Sequence, residues 1–174
     1  MRRDWSEIAG VVHEVGRLHA DHRGSFTKYA DTRADAPLAV TQVATAFNGR
    51  KGTVRGLHFQ AQPHGETKRL WVCAGAVLDV LVDVRAESPT YGDWTSIELS
   101  AEDPAFLTVP AGVAHGYQTL ADHTTVAYLI TGVFVPEAAR TLLWNDPALG
   151  IGWPLEVSAI SDSDDAGRPW PVTF

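Results

Sequence analysis

Between residues 38 and 131 the chain is cut into short apolar runs by turn-forming residues. That punctuation restricts its fold more than any other feature. The runs are Leu38–Ala46, Thr53–Gln60, Arg69–Arg85, Thr95–Leu99, Phe106–Val109, Gly116–Leu120 and Thr124–Thr131. They are rich in Val, Leu and aromatic residues. SPTYG at 88–92, EDP at 102–104 and PAG at 110–112 interrupt them. No long stretch keeps helical spacing. The pattern predicts an all-β protein, an antiparallel sandwich or small barrel. Arg69–Arg85 reads as two strands or as one bent at Gly75. Residues before Leu38 and after Asn145 look less regular, and the Pro-, Asp- and Gly-rich tail is expected to wrap the surface. With 174 residues, no repeat and no linker, residues 1–174 read as one domain.

A strand's period of two says which side chains share a face. On Thr53–Gln60, Val54, Gly56, His58 and Gln60 point one way. On Thr124–Thr131, Tyr128 lies between Val126 and Ile130 on a face expected to be interior. Asp79 and Asp83 share a face with Val77 and Leu81, so two carboxylates there need partners or solvent. The net charge of −7 argues against nucleic acid as a partner. It leaves room for an anionic small molecule held by local arginines. No apolar run approaches the roughly 18–20 residues of a membrane span, and the start lacks the apolar core of a signal peptide. Cys73 is the single cysteine, which fits a reducing cytoplasm.

RGLHFQ (55–60) places Arg55, His58 and Gln60 among Gly56, Leu57 and Phe59. His58 can be a core filler, a metal ligand or a base. PAGVAH (110–115) has the Pro-x-Gly-x-x-His spacing of the second motif of cupin barrels. A metal-binding cupin also needs a His-x-His pair, and this chain offers His58-Phe59-Gln60. Gln is a poor substitute for imidazole around a transition metal, so no metal is expected. Proton transfer suits the residues better. A His serves as base near neutral pH, a Tyr can return a proton, and a Lys can stabilise an enolate oxygen. His58, Tyr128, Lys68 and His115 supply these types from four strand regions. Each of them can equally be a packing or surface residue. Arg23 and Arg55 both adjoin glycines and can grip a phosphate, or lie on the surface beside turns.

DHRGSF (21–26), KGTVRGLHFQ (51–60), residues 67–94, VPAGVAHGYQTL (109–120), WNDPALGIGWP (144–154) and ISDSD (160–164) occur together in one order. In these segments the chain resembles the nucleotide-sugar 3,5-epimerase family. The resemblance implies a double-stranded β-helix of the cupin (jelly-roll) kind with short peripheral helices, a homodimer, and no metal or other cofactor. It implies a nucleoside-diphosphate 4-keto-6-deoxy sugar as substrate, with dTDP the first nucleotide to expect. The reaction inverts C3, C5 or both through an enolate. By the same resemblance His58 is the base, Asp164 its carboxylate partner, Tyr128 the acid and Lys68 the holder of enolate charge. His115 and Gln60 line the pocket. Arg23 and Arg55 grip the diphosphate, the first from the partner subunit. Phe26 and Gln42 lie near the nucleotide.

Two features depart from the family pattern. Lys28 stands where members acting on dTDP sugars usually have Glu. Val133–Phe134 stands where Tyr is common. The first bears on the choice of nucleotide and the second on which centre is inverted. The rival readings are a 3,4-ketoisomerase acting on the same substrate class and a sugar-nucleotide-binding cupin without catalysis.

Overall fold

A computed structural model of the protein describes residues 8–30 and 39–171. In chain order its strands are β1 (Val12–Val15), β2 (Arg17–Asp21), β3 (Gly24–Lys28), β4 (Val40–Asn48), β5 (Val54–Gln60) and β6 (Lys68–Ala74). They continue with β7 (Ala76–Asp83), β8 (Trp94–Ser100), β9 (Ala105–Val109), β10 (Val113–Thr119), β11 (Thr124–Thr131) and β12 (Ala139–Thr141). One 3-10 turn, Pro136–Ala138, and one helical turn, α1 (Asp162–Asp165), complete the described elements. Two five-stranded antiparallel sheets face each other, in the orders β1-β9-β6-β11-β4 and β12-β5-β10-β7-β8. β2 and β3 form a separate hairpin. This is the all-β double-sheet architecture expected from the density of short strands.

The two sheets are buried differently. Leu70 and Val72 of β6, Leu107 of β9 and Val126 of β11 meet Val77 and Leu81 of β7 and Leu99 of β8 between the layers. The second sheet is covered on its outer face as well. There Leu57, Phe59, Val80, Val82, Trp94 and Ala114 pack beneath Leu142 and Leu149, with Trp153 and Trp170 against them. The wrapping tail is therefore the lid of a second core. A strand buried on both faces needs no alternation, which is why β7 reads as a nearly continuous apolar run. Burying each such Leu or Val contributes roughly 1.5–3 kcal/mol.

The segment 69–85 is two strands, broken at Gly75 with φ +74°. The carboxylates on β7 both find partners. Asp83 accepts from Arg85 Nε at 2.8 Å and from the Ser88 and Thr90 hydroxyls at 2.6 Å each. Burial alone would raise its pKa. The Arg85 guanidinium and the two hydroxyls outweigh burial and hold the carboxyl below its ordinary range. DVRAESPTYG is thus a turn wound around one buried carboxylate.

The segment before Leu38 holds three strands that the sequence pattern misses. β1 and β3 are largely exposed on both faces, so neither period two nor apolar content marks them. β4 extends the expected run to Asn48, while Leu38 lies outside the described residues.

Candidate active site

The site is a cleft between the two sheets. Its floor is set where β5 meets β10. Gly56 has φ +106°, and a Cβ there would stand 2.7 Å from Gly116 Cα and from the His115 carbonyl oxygen. Only glycine permits that approach. The close contact pairs His58 directly with His115 across the two strands. Leu57 and Phe59 turn into the outer core, leaving Arg55 and His58 to line the cavity.

The tail supplies the partner of His58. Val54 N–H donates to the Ala159 carbonyl at 2.9 Å and ties the tail beside β5. Ser161 caps α1, accepting from Asp164 N–H at 3.2 Å. Asp164 is therefore the third residue of the turn. Its side chain reaches across to β5, accepting Gly56 N–H at 3.1 Å and lying 2.7 Å from His58 Nε2. Asp164 is 5% exposed, whereas the His58 side chain is 45% exposed toward the cleft. Burial would raise the Asp164 pKa. The bonds from His58, Gly56 and Ser161 outweigh it, so the carboxyl sits below its ordinary range. With Nε2–H donating to this carboxylate, Nδ1 of His58 carries the lone pair that can accept a proton.

The opposite wall comes from the first sheet. Lys68 of β6 and Tyr128 and Ile130 of β11 line the cavity with Ala44 and Ala46 of β4. Lys68 Nζ lies 3.0 Å from Glu66 Oε1, and both side chains are largely buried. Burial, with Tyr117 and Asp79 nearby, pushes the Tyr128 phenol well above its ordinary pKa. Tyr128 therefore holds its proton at neutral pH. His115 is buried on the cavity floor, its Nε2 at 2.8 Å from Asp79 Oδ2. Among the described residues, no three His, Cys, Asp or Glu side chains are grouped to hold a metal ion.

The cavity measures about 260 Å³ and opens into an adjoining lobe of about 380 Å³. His58, Lys68 and Ile130 belong to both spaces, and Gln42, Phe134 and Arg140 line the lobe. Gln60 also borders it, but its amide is engaged with protein groups. Gln60 Nε2 donates to the His64 and Val133 carbonyls and to Glu66 Oε2, and Oε1 accepts from Val135 N–H at 2.7 Å. It staples two loops at the cleft mouth. Arg23 and Phe26 lie elsewhere. Both are exposed on the β2–β3 hairpin, where Arg23 Nη2 meets Asp21 at 2.6 Å. The structure thus gathers His58, Lys68, Tyr128, His115, Arg55, Asp164, Gln42 and Gln60 around one cleft and leaves Arg23 and Phe26 outside it.

Three residues at the site are absent from the sequence-based set: Asn48, Glu66 and Tyr117. Period two would have found two of them. Tyr117 follows His115 by two positions on β10, and Asn48 continues the Gln42, Ala44, Ala46 face of β4. Glu66 had no such signal, because it sits in the loop before β6.

A carboxylate-backed imidazole on one wall, with a phenol and an ammonium on the other, defines an acid–base enzyme on a cupin-like scaffold. The chain belongs to the dTDP-4-dehydrorhamnose 3,5-epimerase family, whose model matches residues 6–170. It is 43% identical to the dTDP-4-dehydrorhamnose 3,5-epimerase of Sinorhizobium fredii over 175 residues, covering 96% of this chain and 90% of that one. The enzyme of that name from Bacillus anthracis, solved with TDP and pyrophosphate bound, superposes with a TM-score of 0.90 at 35% identity. That match covers 94% of this chain and 95% of the other. The 3'-monoepimerase ChmJ of Streptomyces bikiniensis, in complex with dTDP-quinovose, gives 0.88 at 31% identity, covering 94% and 85%.

Proposed function

We propose that the protein is an isomerase that inverts C3, C5 or both in a nucleoside-diphosphate 4-keto-6-deoxy sugar, dTDP-linked by the example of its relatives. The observation that carries this reading is the placement of His58 and Tyr128 on opposite walls of one cavity, with Lys68 beside them. The C4 carbonyl acidifies the hydrogens on its neighbouring carbons. His58 Nδ1 removes one of them, and Asp164 orients the ring and stabilises the imidazolium that forms. The Lys68 ammonium stabilises the enolate oxygen. Tyr128 then delivers a proton to the opposite face, which inverts the centre. The sequence of steps is redox-neutral and needs only these side chains.

Arg55 is assigned to the diphosphate, His115 to the cavity floor and Gln42 to the nucleotide end of the lobe. Arg23 and Phe26 are assigned to a neighbouring subunit's substrate in a homodimer. Their distance from this chain's own cleft supports that assignment, as do the exposed Val43 and Phe47 on β4. Sedimentation would report a dimer. Residues 1–174 act as one domain in this reading. The free Cys73 supports a cytoplasmic setting, and among the described residues no helix is long and apolar enough to cross a membrane. Phe134 in the lobe, where the family often has Tyr, supports a preference for one centre.

The test is incubation in D₂O with dTDP-4-keto-6-deoxyglucose, and in parallel with GDP- and CDP-linked analogues, following C3 and C5 by NMR. Deuterium at either carbon with inverted product is the expected result. Carbonyl migration without inversion, or binding without exchange, would overturn it.

A further inference from the structure

Gln60 closes the RGLHFQ motif but takes no part in the proton transfers. What it holds is Glu66. Gln60, 3% exposed, is fixed at both ends of its amide. Oε1 accepts from Val135 N–H at 2.7 Å, and Nε2 donates to the His64 and Val133 carbonyls at 3.0 and 3.1 Å. The same Nε2 donates to Glu66 Oε2 at 3.2 Å. The backbone beside Glu66 is pinned too. Thr67 N–H donates to Thr131 Oγ1 at 3.1 Å, and Thr131 N–H donates to the Thr67 carbonyl at 3.0 Å. Glu66 Oε1 is left for Lys68, whose Nζ lies 3.0 Å away. A line of contacts therefore runs from β5, the strand of the base, through Gln60 and Glu66 to Lys68.

A lysine ammonium is a point charge on a flexible four-carbon stem, with about 2 kcal/mol of rotamer entropy to lose. It stabilises an enolate oxygen best when it is already in place as charge develops. Glu66 is a fixed counter-charge that takes one of the three N–H donors of Lys68 and leaves two for the substrate. The carboxylate stands to one side. Lys68 borders both the cavity and the lobe, whereas Glu66 borders the lobe alone. The negative charge thus holds the ammonium without lining the cavity where the enolate forms. Both side chains are largely buried, at 14% and 10% exposure, so solvent screens this pair less than a surface one.

We propose that Glu66, anchored by Gln60, is a positioning residue that presents Lys68 to the enolate oxygen. Its effect on rate rests on the epimerase reading, whereas the placement of Lys68 does not. Two measurements keep them apart. The first needs no substrate. Crystal structures of the parent and of Glu66→Ala report where Lys68 Nζ lies. It should stand beside Glu66 in the parent and leave that position in the variant. An ammonium found away from Glu66 in the parent, or still in place without it, overturns the proposal whatever the protein turns over.

The second uses dTDP-4-keto-6-deoxyglucose in D₂O. Glu66→Ala should lower kcat by about 10²-fold, the scale of a group misplaced by about an ångström, with KM unchanged. Deuterium exchange and inversion should fall by the same factor, because both pass through the enolate. Glu66→Gln keeps one acceptor for Lys68 and should recover part of the loss. The deciding variant is Glu66→Ala combined with Lys68→Met. Lys68→Met alone should cost about 10²–10³-fold, the range for one donor to a developing oxyanion. Adding Glu66→Ala should then cost nothing more, because no ammonium remains to be placed. A purely structural role would instead give the same loss in both backgrounds, with a lower melting temperature in each, and that result overturns the proposal. So does a change confined to KM. Absence of turnover by the parent would remove the epimerase reading and leave the crystal structures to decide the placement of Lys68.

Discussion

Two histidine–carboxylate pairs border the same cavity, and their bond lengths nearly match: 2.7 Å for His58–Asp164 and 2.8 Å for His115–Asp79. Their surroundings do not match. The His58 side chain is 45% exposed and that of His115 is 5%. Asp164 is satisfied by His58 and the Gly56 N–H, and it sits below the ordinary carboxylate range. Asp79 is wholly buried, and its Oδ1 finds no hydrogen-bond partner among the described residues. Burial pushes its pKa up, against the pull of His115 and then Lys68. A short His–Asp contact therefore does not by itself make a base. In the proposed reading the base is marked by access for the substrate and a carboxyl held below its ordinary range, and only the first pair has both.

The largest test of that contrast is His58→Asn. It should reduce turnover by about 10³–10⁴-fold, the upper range for losing a general base, with an unchanged melting temperature because His58 stands at the cleft surface. Asp164→Asn keeps the shape but not the charge. It should cost about 10²-fold in kcat, at the low end of that range, with substrate binding retained. Normal turnover in either variant would break the assignment of the first pair. For the second pair the stronger effect should fall on stability. His115→Ala leaves the buried Asp79 carboxyl without its hydrogen-bond partner, and removing one member of a buried pair costs about 3–5 kcal/mol. His58→Ala should show no such loss in denaturant unfolding. Equal losses in the two variants would erase the distinction.

How far these pairs are legible in the sequence depends on what joins them. Asp79 and His115 lie on adjacent strands, β7 and β10, and period two already marks Asp79 as a carboxylate on an apolar face in need of a partner. The identity of the partner requires the strand order, which alternation does not encode. His58 and Asp164 are 106 positions apart, joined by a tail with no strand pattern. Only the resemblance carried by the ISDSD segment pointed to Asp164. The capped turn that aims it becomes visible once the tail is docked against β5. The sheets were legible because their strands are apolar and closely punctuated. The β1–β3 segment was not, because its side chains are too exposed to leave a periodic signal. Asn48 and Tyr117 are an intermediate case, since the periodicity was present and only the chemistry of their neighbours gave it meaning.

The smallest effect is also the sharpest, because the two carboxylates should respond to pH with opposite sign. Asp164 has a lowered pKa in the folded protein. Its stabilisation is present above the unfolded carboxylate value of about 3.9 and is lost as pH falls through the folded value. Asp79 has a raised pKa. In the window from about 3.9 up to its folded value, the folded state binds the extra proton, so stability falls as pH rises. Each Asn variant removes one of these slopes. Relative to the parent, Asp164→Asn should therefore lose ground as pH rises through its window, and Asp79→Asn should gain ground through its own. Thermal melts of the three proteins between pH 3 and pH 8 measure both differences. Slopes of the same sign would mean that the buried pair titrates like the accessible one. Burial would then not be what separates the base from its neighbour.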